Sequence, residues 1–144
     1  HAYVRAARSW VEIKGANPLT EFYSALAPEV PTRHDGGLLA EQNTSFLRTL
    51  LEFDAVIIAG QAASHCVKST IEDLLTRIEP GLARKVYILR DCMSAVAVPD
   101  ARGGFAFDFT GEAEAALARF SKAGMNVVES ATPMREWPGM SELE

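Results

Sequence analysis

Cys66 is the residue of this sequence best placed for covalent chemistry. It follows an apolar run, residues 55–59, and a turn of mostly small residues, and it precedes a segment with helical periodicity. In open α/β sheets, ligands bind at the carboxyl ends of strands. Unpaired backbone N–H groups at a helix N-terminus stabilise a thiolate, the nucleophilic form of cysteine. The sequence therefore favours a reactive Cys66. The alternative is an inert buried thiol, a common fate of cysteine in proteins.

The same turn predicts an oxyanion site. The backbone N–H groups of Ala62 and Cys66 are candidate donors to an oxygen on a carbon atom under attack. Small side chains in this turn let a carbonyl group approach the backbone closely. Loss of one such donor typically raises the reaction barrier by about 3 kcal/mol.

Lys14 is the second candidate catalytic residue. It follows a short apolar segment with strand character, residues 10–13, and precedes a Gly-Ala-Asn-Pro turn. We therefore expect its ammonium group at the carboxyl end of a strand, where it favours a neighbouring thiolate and can hold a proton for a leaving amine. The alternative is an ordinary solvated lysine.

The elements that must position these residues are strands alternating with helices. Short β-branched or apolar runs predict strands over residues 10–13, 55–59, 85–89 and 125–129. Apolar residues at helical spacing follow Cys66, and similar patterns predict helices over residues 111–123, with Thr110 as N-cap, and about 43–53. Buried strands alternating with amphipathic helices predict an α/β fold: a mostly parallel sheet with helices on both faces.

Two segments are predicted as loops. Residues 16–37 contain three prolines and a Gly-Gly pair, and residues 98–104 contain Pro99 and a second Gly-Gly pair. Long ordered loops in compact domains tend to line functional sites, so we expect the first loop to contribute to one.

Chain length and net charge limit the possible classes of function. The 144 residues fit a single domain, residues 1–144, and the formal net charge of −5 leaves no basic face for a nucleic-acid backbone. No apolar run approaches the roughly 20 residues that cross a bilayer. We therefore predict a soluble, cytoplasmic protein with neither nucleic-acid nor membrane partners. Two cysteines do not make a disulfide framework.

Taken together, the motifs resemble those of the isochorismatase-like cysteine hydrolases, and within that superfamily the nicotinamidase branch is the most similar. The likeness extends over about residues 10–128. It rests on four stretches in the family's order: Lys14-Gly15, Tyr23-Ser24-Ala25, Ala59-Gly60 and Ala62-Ala63-Ser64-His65-Cys66-Val67.

The resemblance implies a three-layer, Rossmann-like hydrolase with an Asp-Lys-Cys triad. Cys66 would attack a carboxamide carbon, Lys14 would help to manage charge and protons, and an aspartate would act as general base. The oxyanion would lie against the N–H groups of Ala62 and Cys66, and the family often has a cis peptide bond at the position of Gln61-Ala62. Ammonia would leave, and water would release the acid from the thioester.

The sequence departs from this family in one respect. The family's aspartate lies on the first strand, and the aspartate and histidine metal ligands of nicotinamidases follow it, whereas only 13 residues precede Lys14 here and none is Asp. The alternatives are the carboxyl-terminal part of a longer hydrolase domain, a half that pairs with another chain, and an inactive protein. We favour the first, because a missing first strand also accounts for the low number of predicted strands. A zinc ion is then expected only if upstream ligands exist.

Other residues have weaker interpretations. Tyr23 and Phe22 are candidates to stack against a flat ring, Gln61 is a candidate substrate contact in the turn, and His65 is interpreted as a pocket wall or a subunit contact. Asp91 is interpreted as a loop anchor, or alternatively as a substitute base, and Cys92 as a spectator thiol or a disulfide partner of Cys66. The three histidines share no metal-ligand spacing, so no metal site is predicted within this chain.

The leading functional hypothesis is an amidase that acts on a small planar carboxamide such as nicotinamide. The first alternative is a related hydrolase of an N-carbamoyl, ureido or isochorismate-type substrate. The second is a catalytically silent binding or assembly module that lacks the triad aspartate. The resemblance also implies a homo-oligomer.

Overall fold

The computed structural model describes residues 11–15 and 17–142. Its helices are α1 (Thr44–Leu51), α2 (Cys66–Arg77) and α3 (Thr110–Lys122). Its strands are β1 (Val56–Gln61), β2 (Val86–Ser94), β3 (Ala97–Pro99), β4 (Phe105–Asp108) and β5 (Asn126–Val128). Short 3-10 turns span Pro80–Lys85, Met134–Glu136 and Met140–Glu142.

The main sheet has three parallel strands in the order β1-β2-β5. Val56 pairs with Val86 at the start of β1, and Tyr87 pairs with Asn126 at the start of β5. The β1–β2 register shifts between Ile58 and Gly60, just before the turn that leads to Cys66. The α/β class with a mostly parallel sheet, predicted from the apolar runs at 55–59, 85–89 and 125–129, is therefore confirmed.

The core lies between the sheet and helices α2 and α3. Ile71 and Leu74 of α2, Phe120 of α3, and Val86 and Ile88 of β2 form one buried cluster. Tyr87 lies between the last two and faces the opposite side of the sheet, where its ring stacks on Trp137 at a centroid distance of 5.6 Å. The second face of the sheet is thus covered at Tyr87, whereas Ile57, Ala59 and Gln61 of β1 remain exposed.

The helices follow the predicted patterns with corrected ends. Asn43 is the N-cap of α1, and its side chain accepts a hydrogen bond from the Phe46 N–H. The prediction of Thr110 as an N-cap is wrong, because Thr110 is the first helical residue of α3 and Phe109 holds the cap position. The side chain that caps the start of α3 is that of Asp108, which accepts a hydrogen bond from the Thr110 N–H at 2.9 Å.

Two strand predictions are corrected. Residues 11–13 form no strand, and Val11 is 88% exposed, because strand formation depends on a neighbour that these residues lack within the described chain. Trp10 lies outside the described residues. Residues 98–104 are not simply a loop, since Val98 and Pro99 belong to β3, which pairs with β4 in an antiparallel hairpin. The described part of the other predicted loop, residues 17–37, is irregular apart from an isolated bridge from Thr32 to Leu38, the residue that follows it.

No helix among the described residues combines the length and apolar character that crossing a bilayer requires.

Candidate active site

A cavity of about 330 Å³ lies along β1, between α1 and α2, and both predicted catalytic residues contribute to its lining. Lys14 and Cys66 both line it. Most of the remaining lining is apolar, including Phe46 and Leu50 of α1 and Val67 of α2, while Thr70 and Gln61 add polar groups. Predominantly apolar walls with a few polar groups are typical of small-molecule sites.

A second cavity, of about 520 Å³, adjoins the first. Lys14 and Ala25 line both, so the two cavities meet at these residues. Phe22, Asn17 and Glu41 contribute to the lining of the second cavity. The long loop 16–37 therefore does contribute to the site, as its length and composition predicted.

Cys66 is the first residue of α2 and is half-buried, with a free thiol. Its position follows from the local sequence. Gly60 has φ +141°, a backbone conformation that side chains rarely adopt, and the chain turns there from β1 toward α2. The thiol consequently lies at the carboxyl end of β1 and at the helix N-terminus, as the sequence predicted.

The backbone of the turn leaves three N–H groups without a protein partner among the described residues. The Ala63 N–H donates to the Ser94 carbonyl oxygen at 2.8 Å, and the N–H groups of His65 and Val67 donate to the Ala62 carbonyl oxygen. Within the described residues, the N–H groups of Ala62, Ser64 and Cys66 donate to no protein acceptor. The Gln61-Ala62 peptide bond is cis. Ala62 and Cys66 are the two donors predicted from the sequence, and unpaired donors beside a thiol are what an oxyanion site requires.

Lys14 is held by the loop that follows it. Its Nζ atom donates a hydrogen bond to the Tyr23 carbonyl oxygen at 3.1 Å. In the part of the chain that the structure describes, no carboxylate is paired with this ammonium group. The lysine lines both cavities, and its charge is not neutralised by an acid among the described residues.

The four predicted substrate contacts lie in different surroundings. Phe22 lines the second cavity beside Lys14, and Gln61 lines the first beside Cys66, although the Gln61 amide also hydrogen-bonds Ser94 at 3.0 Å. Tyr23 lines a separate surface depression with Glu21. The His65 imidazole lies within 2.8 Å of the Ser64 hydroxyl and packs edge-on against Phe109 at 4.9 Å.

The Asp91 carboxylate anchors the chain at Ser130. Its carboxylate accepts hydrogen bonds from the Ser130 hydroxyl at 2.5 Å and the Ser130 N–H at 2.9 Å. These donors, the hydroxyl first, hold the pKa of Asp91 below its ordinary value. Its neighbour Cys92 is exposed, and both cysteines are free thiols.

The metal ligands of the resembled branch were expected upstream of Lys14. Among the described residues, no three His, Cys, Asp or Glu side chains lie close enough together to hold a metal ion. The described side chains therefore do not fit a metal centre.

Several polar residues that line the two cavities were not predicted as site residues: Asn17, Glu41, Asn43 and Thr70. Thr70 lies one helical turn after Cys66, a spacing that places both side chains on one face of α2 and was a usable signal. Its hydroxyl accepts a hydrogen bond from the Ala25 N–H at 3.0 Å and donates to the Cys66 carbonyl oxygen at 2.8 Å. Glu41 had no such signal, because the irregular loop alone brings it to the cavity.

Comparison with known proteins gives few matches. No protein-family model matches the sequence, and no curated protein matches it. Among solved structures, the chain is similar to a nicotinamidase pyrazinamidase of Acinetobacter baumannii, with 17% sequence identity and a TM-score of 0.46. The alignment covers 87% of this chain and 44% of that one, so the chain spans less than half the length of the matched protein. The fold class of this chain rests on its own strands: it is an α/β protein with a mostly parallel sheet.

Proposed function

We propose that this chain provides the nucleophile and the lysine of a cysteine hydrolase that cleaves a small planar carboxamide, such as nicotinamide, to the acid and ammonia. The observation that carries the proposal is that Lys14 and Cys66 line one cavity, which lies along β1. A thiol at a helix N-terminus, an unneutralised ammonium group and unpaired backbone donors are the parts that acyl transfer requires.

The reaction proceeds in two stages. The Cys66 sulfur, as thiolate, bonds to the carboxamide carbon while the carbonyl oxygen gains negative charge, which the N–H groups of Ala62 and Cys66 stabilise. The C–N bond then breaks, the nitrogen takes up the proton that the proposed general base has removed from the Cys66 thiol, and ammonia leaves while a thioester remains on Cys66. Water attacks the thioester carbon and gives a proton to the same base, the C–S bond breaks, and the acid and the thiolate are released. Lys14 stabilises negative charge on the sulfur and assists proton transfer to the leaving nitrogen.

The lining favours a flat, mostly apolar substrate. Phe22 and Phe46 lie in the walls of the two cavities that meet at Lys14. Aromatic side chains pack favourably on the face of a flat ring, and the polar groups at one end of the cavity orient the carboxamide.

The general base is proposed to come from a strand that lies against β1. Within the described residues, β1 is an edge strand, and Ile57 is 41% exposed beside the cavity. An edge strand has unpaired backbone groups that a further strand would satisfy. The resemblance to isochorismatase-like hydrolases places an aspartate on such a strand, and Lys14 has no acid partner in the described part of the chain. We therefore propose that this chain is the carboxyl-terminal part of a longer hydrolase domain.

The test is ammonia release by the full-length protein. Nicotinamide is assayed beside a panel of N-carbamoyl and ureido compounds, with isochorismate as the substrate that yields no ammonia. We expect turnover of nicotinamide and its loss in Cys66→Ala, with Cys92→Ser as the matched cysteine control that keeps activity. Equal turnover by Cys66→Ala refutes the mechanism.

The panel also decides between the alternatives. Turnover of a carbamoyl, ureido or isochorismate substrate alone would keep the cysteine mechanism and change the substrate. No turnover of any compound would favour the catalytically silent binding or assembly module, because the described residues supply no acid to Lys14. Homo-oligomerisation stays a prediction, which sedimentation of the same preparation tests.

A further inference from the structure

We propose that Ser64 is a positioning residue, whose buried hydroxyl holds the turn before Cys66 in the shape that leaves the Ala62 and Cys66 N–H groups unpaired. The inference rests on the proposed function for its catalytic meaning. Its structural basis is a set of hydrogen bonds outside the cavity that Cys66 lines.

The Ser64 side chain is almost completely enclosed. Its residue is 1% exposed, and its Oγ atom accepts a hydrogen bond from the Val96 N–H at 3.0 Å. The Ser64 hydroxyl also lies 2.8 Å from His65 Nδ1. Because the Val96 N–H is already a donor to Ser64, the hydroxyl proton is free to be donated to the imidazole.

Val96 connects this serine to two other elements. It follows β2, and its carbonyl oxygen accepts a hydrogen bond from the N–H of Phe109, the N-cap of α3, at 3.0 Å. Phe109 in turn packs against the His65 ring at 4.9 Å. The Ser64 hydroxyl therefore ties the turn before α2 to the segment that joins β2, the hairpin and α3.

A second contact fixes the turn one residue earlier. The Ala63 N–H donates to the Ser94 carbonyl oxygen at 2.8 Å, at the end of β2. Ala63 and Ser64 are thus both bonded to the end of β2 or the chain just after it, and they lie between Ala62 and Cys66, the two donors proposed for the oxyanion. A turn held at its middle keeps the spacing of its ends, which is the condition for two donors to meet one oxygen atom.

Loss of the hydroxyl releases the turn from Val96. The Val96 N–H is then left without its acceptor, and Ala62 and Cys66 can move relative to each other. The backbone dipoles at the start of α2 are then no longer held in place around the Cys66 sulfur, so its reaction with an electrophile slows.

The experiment measures the second-order rate of Cys66 alkylation by iodoacetamide in the full-length protein. All variants carry Cys92→Ser, so that the other cysteine of this chain does not react. We expect Ser64→Ala to lower the rate per folded molecule about five- to ten-fold. Asn126→Ala is the matched control: it also removes side-chain bonds to backbone carbonyls, those of Arg84 and Val86, but at the opposite end of the sheet. We expect its rate to stay within two-fold of the parent.

A rate for Ser64→Ala within two-fold of the parent overturns the proposal. An equal decrease in Asn126→Ala also overturns it, because the effect then follows general destabilisation. If Ser64→Ala does not fold, Val96→Pro replaces it and is judged by the same limits, since proline removes the donor to Ser64 and leaves the hydroxyl in place.

The alkylation rate separates this proposal from the proposed function, because it needs no substrate. If the protein releases ammonia, a second measurement applies: Ser64→Ala should lower kcat about ten-fold with KM within two-fold of the parent. A change confined to KM contradicts a role in positioning the donors. If the protein releases no ammonia, the proposed function fails, and the alkylation rates alone decide the role of Ser64.

Discussion

The ammonium group of Lys14 donates a hydrogen bond to the backbone carbonyl oxygen of Tyr23 at 3.1 Å. This contact fixes the position of the lysine head group beside the cavity that Cys66 also lines. A carbonyl dipole orients an ammonium group without cancelling its charge, whereas a carboxylate would neutralise it. The positive charge therefore remains effective toward a thiolate or a developing anion in the cavity.

Removal of this charge should impair catalysis and leave the fold intact. We expect Lys14→Ala to lower kcat for ammonia release by about 10²-fold, a typical contribution of a positioned proton-transfer group. Lys14 is exposed, so the circular dichroism spectrum and the urea midpoint should not change. Lys122→Ala, at the exposed end of α3, is the matched control and should retain full activity. Equal rates in the two variants would remove Lys14 from the mechanism.

The sequence alone predicted those strands and helices whose formation depends on local hydrophobic periodicity. The apolar runs predicted β1, β2 and β5, and the stripe from Val67 to Leu74 predicted α2, because a buried strand or helix face is a local property of the sequence. The position of Cys66 at the start of a helix followed from the same patterns.

The features that were not predicted depend on partners distant in the chain. Residues 11–13 have strand-like composition but no neighbouring strand among the described residues. Val98 pairs with Phe107 in a hairpin, although Pro99 and the Gly-Gly pair made this segment look like a loop. The Ser64 hydroxyl acquires its role only through Val96, which no spacing in the sequence connects to it. Composition describes a residue's preference, and tertiary contacts decide whether that preference is met.

The Asp91 carboxylate should make folding stability depend on pH in the acid range. Ser130 donates to the charged form and lowers the pKa of Asp91 in the folded protein. A lowered folded pKa stabilises the protein above the unfolded value, about 3.9, and this contribution is lost as the pH falls through the lower folded pKa. Asp91→Asn should therefore unfold at lower urea concentration than the parent at pH 7, with the difference shrinking below about pH 4.

Urea midpoints of the two proteins at several pH values between 7 and 3 test this dependence. Asp54→Asn serves as the control, because the Asp54 carboxylate makes no hydrogen bond within the described residues. Parallel midpoint curves for Asp91→Asn and its parent would show that the Ser130 contact contributes nothing that depends on charge.

Thr70 should stabilise the loop that positions Lys14. Its hydroxyl joins the Ala25 N–H to the Cys66 carbonyl oxygen, so Thr70→Val leaves the half-buried Ala25 N–H without an acceptor. We expect a loss of about 1–3 kcal/mol in the free energy of unfolding, measured by urea denaturation. Thr76→Val on the same helix removes a bond to the Asp73 carbonyl oxygen and one from the Arg77 guanidinium, both at an exposed position, and should cost less than about 0.5 kcal/mol. Similar costs at both positions would contradict the role of Thr70.

The conformation of Gly60 should make this position intolerant of any side chain. Its φ of +141° lies in a region that other residues rarely adopt, although a Cβ atom here would meet only Val67 Cγ2, at an ordinary distance of 3.8 Å. The cost of Gly60→Ala therefore comes from the backbone and not from crowding. We expect a loss of about 1–3 kcal/mol in unfolding free energy.

Gly81→Ala is the matched control, because a Cβ atom at Gly81 would meet nothing within 4 Å and the φ of Gly81 is not in this region. The unfolding free energy of this variant should stay within about 1 kcal/mol of that of the parent. Because Gly60 turns the chain from β1 toward Cys66, Gly60→Ala should also slow Cys66 alkylation by iodoacetamide, whereas Gly81→Ala should not. A Gly60→Ala protein with unchanged stability and alkylation rate would mean that this turn does not fix the thiol.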